Sequence, residues 1–200
     1  MLIGIVGLIG SGKDTVAERL VEKHGFIKDS FAKSLKDAVS SMFNWDRKML
    51  EGDTKESREW REQPDKFWSE KMGKEVTPRW VLQHFGTEVM RQHMYDAIWV
   101  DSVINRYNGK PTVISDTRFQ NEIKLIKEHG GKIICIHRGH LPTRDWMWAH
   151  NFHQSEWDWI GSDYDFVIEN TGTLEELYKK IDDLISNKIT NTPTKSTHTA

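Results

Sequence analysis

The sequence predicts an α/β domain: a parallel five-stranded sheet flanked by helices and opening on a phosphate-binding loop. Three observations carry this expectation. The apolar run of residues 2–6 leads into Gly7-Leu8-Ile9-Gly10-Ser11-Gly12-Lys13-Asp14-Thr15, and a helix-forming stretch, 15–23, follows at once. Short apolar runs recur at 111–115, 132–137 and 165–168 with helical stretches between them, which calls for crossover connections and parallel strands. Two hundred residues also suffice for one core with inserted lobes.

The first strand is apolar without interruption, as burial on both faces requires. The glycines behind it let backbone N–H groups converge on phosphate oxygens, and the next helix aims its positive dipole end at the same point. Lys13 is spaced to reach the outer phosphates as a point charge. Gly10, Ser11, Gly12, Lys13, Asp14 and Thr15 are therefore the candidate nucleoside-triphosphate residues. Asp14 stands where the pattern asks for Ser or Thr. Its carboxylate is a hard oxygen ligand suited to Mg²⁺, directly or through water, with Thr15 on a phosphate. Alternatively it only stabilises the first helical turn against the dipole. Both readings stand at this point.

Residues 25–28 read as a short strand, and 33–43 as a helix with Leu35, Val39 and Met42 or Phe43 at helical spacing. Residues 44–76, dense in charge and tryptophan, suggest short helices outside the sheet, a mobile flap. Thr77-Pro78 starts the next helix, a capping hydroxyl before proline. That helix is expected to bury Val81, Phe85 and Val89 and to show Gln83, Thr87 and Arg91 on another face. Gly86 inside it costs about 1 kcal/mol relative to alanine, which implies a close backbone approach or a break. Helices at 96–107 and 121–129 bracket the strand at 111–115. Residues 138–161 have no regular periodicity, and a loop of that length is usually functional. Thr173 and Glu176 sit at capping-box spacing before the last helix, and the polar, low-complexity stretch 187–200 is expected to be disordered.

Composition excludes several classes. With 28 basic and 30 acidic residues, the balance gives no general attraction to nucleic acid, and no stable nucleic-acid partner is expected. The one cysteine, Cys135, lies in an apolar run, which rules out an internal disulfide framework and suits a reducing cytoplasm. The apolar N-terminus has no basic stretch before it and soon meets glycine, so it reads as a core strand and not a signal peptide. No apolar run approaches the ~20 residues that span a bilayer, and no membrane association is expected. Four late histidines (His137, His140, His150 and His153) lack a cysteine pair, so structural zinc is not expected. The sequence leaves a homodimer open.

GTP-binding switch proteins need an Asn-Lys-x-Asp element, which does not occur here. A small phosphate-loop chain with an arginine-rich late loop points instead to phosphoryl transfer onto a small phosphorylated acceptor. Such transfer is mainly a matter of positioning and of cations around the moving group. The candidate cations are Arg91, Arg118, Arg138 and Arg144. Arg118 stands out because it lies just past a strand's carboxyl end, where open α/β sheets bind ligands.

The chain resembles the deoxynucleoside monophosphate kinases of tailed bacteriophages from residue 1 to about 186. The resemblance rests on Gly10-Ser11-Gly12-Lys13-Asp14-Thr15, Phe31-Ala32-Lys33-Ser34-Leu35-Lys36-Asp37-Ala38, Arg79-Trp80-Val81-Leu82-Gln83-His84-Phe85-Gly86-Thr87-Glu88, Asp116-Thr117-Arg118 and the closing Ile168-Glu169-Asn170-Thr171-Gly172-Thr173-Leu174-Glu175-Glu176-Leu177. The Lys-Asp-Thr form of the loop is usual in that family. The resemblance implies a P-loop kinase fold and transfer of the ATP γ-phosphate, with Mg²⁺, to a dNMP, giving a dNDP for DNA synthesis in the host cytoplasm. It implies a core of residues 1–30, 110–137 and 162–186, an acceptor-binding lobe at about 31–109 and a lid at about 138–161. The implied catalytic residues are Lys13, Arg118, Arg138 and Arg144. The implied dNMP contacts are Phe31, Lys33, Arg79, Trp80, Gln83, Gly86, Thr87, Arg91 and Arg118, and the implied metal residues are Asp14, Thr15 and Asp116. His153 and Glu156, where the lid rejoins the core, are expected to be structural. Two other readings compete. One is a phosphomevalonate- or dephospho-coenzyme-A-type kinase with the same donor site. The other is a nucleotide-dependent nucleic-acid-binding protein whose tryptophans stack on bases.

Overall fold

A computed structural model describes residues 1–189. Five strands, β1 (Leu2–Val6), β2 (Ile27–Asp29), β3 (Thr112–Ile114), β4 (Lys132–His137) and β5 (Phe166–Glu169), form one sheet in the order β2-β3-β1-β4-β5. Every pairing is parallel, with Ile3 opposite Val113, Ile5 opposite Ile134 and Cys135 opposite Val167. The expected five-stranded parallel sheet is what forms.

The apolar strands serve two cores because side chains alternate across a strand. Leu2 and Val6 of β1, with Ile133 and Cys135 of β4, join a core under α2 (Ala32–Phe43), α6 (Ile98–Arg106) and α7 (Gln120–Glu128). Ile3, Ile5, Ile134 and Ile136 face the opposite core under α1 (Lys13–His24) and α9 (Leu174–Leu184). Burial pushes the Cys135 thiol up to about 11, so it stays a neutral packing residue.

Helix ends follow local chemistry. Thr173 accepts from the Glu176 amide and Glu176 answers at the Thr173 amide, the expected reciprocal cap of α9. A π-helical turn, Ile185–Ile189, carries the chain onward. The part of the expected disordered tail from residue 190 on lies outside the described residues. Among the described residues, no helix is long and apolar enough to cross a membrane.

Two details differ from expectation. The helix begun at Thr77-Pro78 ends as α5 (Pro78–Gln83) and continues as a π-helix, His84–Gln92. Its i→i+5 bonding rotates the later residues around the axis. Thr87 and Arg91 therefore turn inward and Val89 outward, the reverse of the expected faces. Gly86 explains the distortion. A Cβ there would stand 2.8 Å from Leu35 Cδ2, and its carbonyl accepts from Trp99 Nε1 at 2.9 Å.

Residues 44–76 hold the expected short helices, α3 (Lys55–Arg61) and α4 (Lys66–Met72), and their tryptophans extend the core under α2, with Trp45 inside it and Trp60 and Trp68 packed against it. Phe43 stacks on Trp45 at 4.6 Å, and Trp60 meets Trp45 edge-on. The expected irregular stretch 138–161 contains α8 (Arg144–Ala149), capped by Thr143, and a 3₁₀ turn, Gln154–Glu156. Six residues are too few to print a helical period, though the cap at Thr143 was readable.

Candidate active site

The phosphate-binding loop crosses from the carboxyl end of β1 to α1, with β3 and β4 on either side. Gly10 (φ 75°) and Gly12 (φ 108°) lie in the left-handed region, where side chains are disfavoured. A Cβ on Gly12 would also meet Asn170 Nδ2 at 2.7 Å. That amide donates to the Ser11 carbonyl at 2.9 Å, so the loop after β5 braces the first loop from behind. Gly12 precedes α1 without a side-chain cap, leaving the helix's positive end uncovered by protein side chains. Ser11 Oγ is buried with no hydrogen-bond partner among the described residues.

Lys13 Nζ folds back onto the carbonyls of Gly7 (2.8 Å) and Leu8 (3.0 Å). Burial lowers its pKa, and the nearby positive charge of Arg118 lowers it further. An ammonium in that condition gains from the arrival of an anion.

The carboxyl end of β3 supplies the facing wall. Ser115 Oγ donates to Asp14 Oδ1 at 3.2 Å, and Lys28 Nζ lies 3.7 Å from the same oxygen. Asp14 caps nothing and stands largely in solvent at the mouth of the loop. Asp116 is engaged differently. Its carboxylate accepts from Ser30 Oγ (2.7 Å), the Phe31 amide (3.0 Å) and the Ala32 amide (2.9 Å). It fixes the start of α2 as a capping group would. Hard-oxygen chemistry suits Mg²⁺, which takes one or two carboxylates plus phosphate and water. Asp14 with Ser115 fits that donor set. Asp116 is already committed to three donors, and Thr15 makes no side-chain hydrogen bond among the described residues.

Arg118 follows directly. Its Nη1 donates to Glu156 Oε1 at 2.9 Å and toward the Ser155 carbonyl at 3.5 Å. Its backbone N–H donates to Glu122 Oε2 at 2.6 Å. Arg144 reaches Asp158 Oδ1 at 2.9 Å, while Arg138 is exposed and has no partner among the described residues. Lys13 and Arg118 thus come together, and Arg138 and Arg144 stay on the outer segment.

The expected acceptor contacts divide. Lys33 pairs with Asp37 and Arg79 with Glu62, both toward solvent. Trp80 stacks on His84 with ring centroids 4.8 Å apart, under the ammonium of Lys74. Gln83 is half-buried and makes no side-chain hydrogen bond among the described residues. Phe31 is enclosed in the core. Thr87 and Arg91 line a cleft of about 240 Å³ with Phe119, Asn121 and Asp158. Arg91 is locked inside, its guanidinium 3.9 Å over the Phe119 ring and bonded to Asn121 and Glu122. It is placed to shape the cleft, and its π-helical phase explains the inward turn.

Sequence reasoning missed several residues here. Arg61 packs its guanidinium where a Cβ on Gly52 would fall, and its Nε is buried without a hydrogen-bond partner among the described residues. Burial lowers its pKa, as does the positive charge of Arg79 and, further off, of Arg118. No motif marks Arg61. Ser115 adjoins the Asp116-Thr117-Arg118 motif and Asn170 lies within the closing motif, but the orientation of neither was readable.

Glu122 was also missed. Its carboxylate accepts from the amides of Arg118 and Phe119 and faces Arg91. Burial pushes its pKa up to about 7, against the pull of those donors. A raised carboxyl pKa makes the fold most stable below the unfolded value near 4.5, with that stability lost as pH rises through about 7. Glu122→Gln keeps the acceptor oxygen and loses the titration. Its melting temperature should fall less steeply than the wild type's between about pH 5 and 8. Parallel melting curves for the two proteins would refute this account.

Residues 49–181 match the family model described as deoxynucleotide monophosphate kinase. A curated protein of Acanthamoeba polyphaga mimivirus, provisionally named as a deoxynucleotide monophosphate kinase, is 34% identical over 202 residues, covering 94% of this chain and 97% of that protein. Among solved structures, shikimate kinase from Aquifex aeolicus superposes with a TM-score of 0.51 at 11% identity, over 96% of this chain and 100% of that one, which shows the fold alone. A dephospho-CoA kinase from Campylobacter jejuni covers 92% of this chain and 95% of its own at 17% identity, but its TM-score of 0.41 is too low to carry weight.

Proposed function

We propose a mechanism from the premise that this chain belongs to the deoxynucleotide monophosphate kinase family. It is a phosphotransferase that uses ATP as donor and a deoxynucleotide monophosphate as acceptor. The observation that best supports the mechanism is the convergence of Lys13 and Arg118 at the carboxyl ends of β1 and β3, beside an uncapped helix N-terminus. Two cations that repel one another across a loop of glycines suit a polyphosphate.

In this reading the loop amides and Lys13 hold the β- and γ-phosphates, and Lys13 exchanges the Gly7 and Leu8 carbonyls for phosphate oxygens. Mg²⁺ held by Asp14, with Ser115 behind it, would neutralise charge on the phosphate oxygens. Arg118 clamps the group in transit, and Asp116 keeps α2 and its preceding turn fixed beside it. The acceptor phosphate is already an anionic nucleophile, so no strong base is required.

Residues 31–109 act as the acceptor lobe. Arg61 and Arg79 draw the acceptor phosphate toward Arg118, and Trp80, Gln83 and Thr87 lie along the path of its base and sugar. Residues 138–161 act as the lid, with Arg138 and Arg144 closing over ATP and excluding water. Lys33, Phe31, Gly86 and Arg91 shape the pocket rather than grip the ligand. The reaction runs in a reducing cytoplasm, without a stable nucleic-acid partner.

A panel of deoxynucleoside and ribonucleoside monophosphates, incubated with ATP in the presence and absence of Mg²⁺, tests the reading by ADP release. Several deoxynucleotides should be turned over, and only with Mg²⁺. Absence of turnover with every deoxynucleotide would overturn it.

A further inference from the structure

The 3₁₀ turn Gln154–Glu156 has a construction that a loop connector does not need. Of the Arg118 guanidinium, only Nη1 has protein partners among the described residues, Glu156 Oε1 at 2.9 Å and the Ser155 carbonyl at 3.5 Å. Its Nε and Nη2 remain free, and that edge of the fork is one that binds phosphate in a paired fashion. Glu156 thus holds one corner of the arginine and leaves the useful edge open.

The turn itself is anchored at both ends. The Glu156 carbonyl accepts from the indole of Trp159, a side chain 1% exposed in the main core. Before the turn, His153 Nδ1 faces Ser155, 2.8 Å from its Oγ and 3.3 Å from its amide nitrogen, and the ring points its other nitrogen, Nε2, away from the turn. That nitrogen lies 3.3 Å from Glu88 Oε1 on the π-helix that also carries Thr87. The second oxygen of Glu88 is buried, has no hydrogen-bond partner among the described residues and lies 3.7 Å from His84 Nδ1. A continuous set of contacts therefore runs from the acceptor-side helix through Glu88 and His153 to Glu156 and Arg118.

We propose that Glu156 and His153 are positioning residues for Arg118. Glu156 orients the guanidinium, and His153 ties that orientation to the acceptor-side π-helix, so that a displaced helix leaves the arginine misaligned. This rests on the reading of Arg118 as the clamp on the transferred phosphate. Neither residue touches substrate in this account.

A double-mutant cycle tests it, using a monophosphate that the wild type turns over. Glu156→Ala should lower kcat by about tenfold to a hundredfold, the scale of a ~1 Å misplacement, with KM for ATP little changed. In an Arg118→Ala background the same substitution should cost almost nothing, and His153→Ala should behave likewise. An equal loss in both backgrounds would overturn the proposal, because the effect would not pass through Arg118. A second readout needs no turnover: the Arg118 Nε–H signal in nitrogen-resolved NMR of the free protein. It should move on Glu156→Gln and on His153→Ala, and an unmoved signal in both variants would overturn the proposal. If the wild type turned over no monophosphate, the functional reading would fall while this signal still decided the contact.

Discussion

Lys13→Ala is expected to abolish measurable phosphoryl transfer while leaving the fold intact. The loss should reach at least the ~10²–10³ in kcat that removing one preorganised donor to a developing anion costs. Two features push it further. The ammonium sits where burial and Arg118 already depress its pKa, so in the free protein it is a charge held against its preference. Phosphate relieves that strain, and the relief is available only to a cation at this position. The side chain also bridges the Gly7 and Leu8 carbonyls and so holds the loop in shape before nucleotide arrives. Alanine loses both roles. The fold should survive because neither core depends on Lys13 and its partners are loop carbonyls that water can serve. Steady-state kinetics, with circular dichroism as the control for folding, checks this. Turnover near the wild-type rate in a folded variant would remove Lys13 from the donor site.

The donor half of this site was legible in the sequence because it is local. A strand, a glycine turn, a lysine and a helix follow one another within fifteen residues, and each has its own physical requirement. The centre of the sheet was legible for a similar reason, since β1, β3 and β4 are buried on both faces and print as apolar runs, while the edge strands β2 and β5 are largely exposed. What failed to show was set by distant contacts. The faces of the Pro78–Gln92 stretch follow from Leu35 and Trp99 pressing on Gly86, a packing event that no period in the local sequence reports. The three donors that Asp116 takes from Ser30, Phe31 and Ala32 at the start of α2 lie more than eighty residues away in sequence, and no local pattern announces them. Arg61 and Glu156 belong to the same class. Each is one charged residue in a charged stretch until the fold brings it to Arg118.

Arg118→Ala is expected to lower kcat by about 10³–10⁵, the range that arginines stabilising phosphoryl transfer supply, with a smaller change in KM for ATP. The argument turns on which of its donors are free. Nη1 is held by Glu156, the backbone N–H by Glu122, and Nε with Nη2 by no protein group among the described residues. A residue so fixed loses little freedom when phosphate arrives, so its contribution falls mainly on the transition state, where charge on the moving group is most exposed. Arg118→Lys should restore little of the rate. An ammonium offers a point charge in place of a paired edge, and its natural partner from this position would be Glu156 itself. Measurement of kcat and KM for both variants with one monophosphate decides the matter. A change confined to KM for ATP would make Arg118 a ground-state contact, and the transition-state role would then have to pass to Arg138 or Arg144, the remaining candidates on the outer segment.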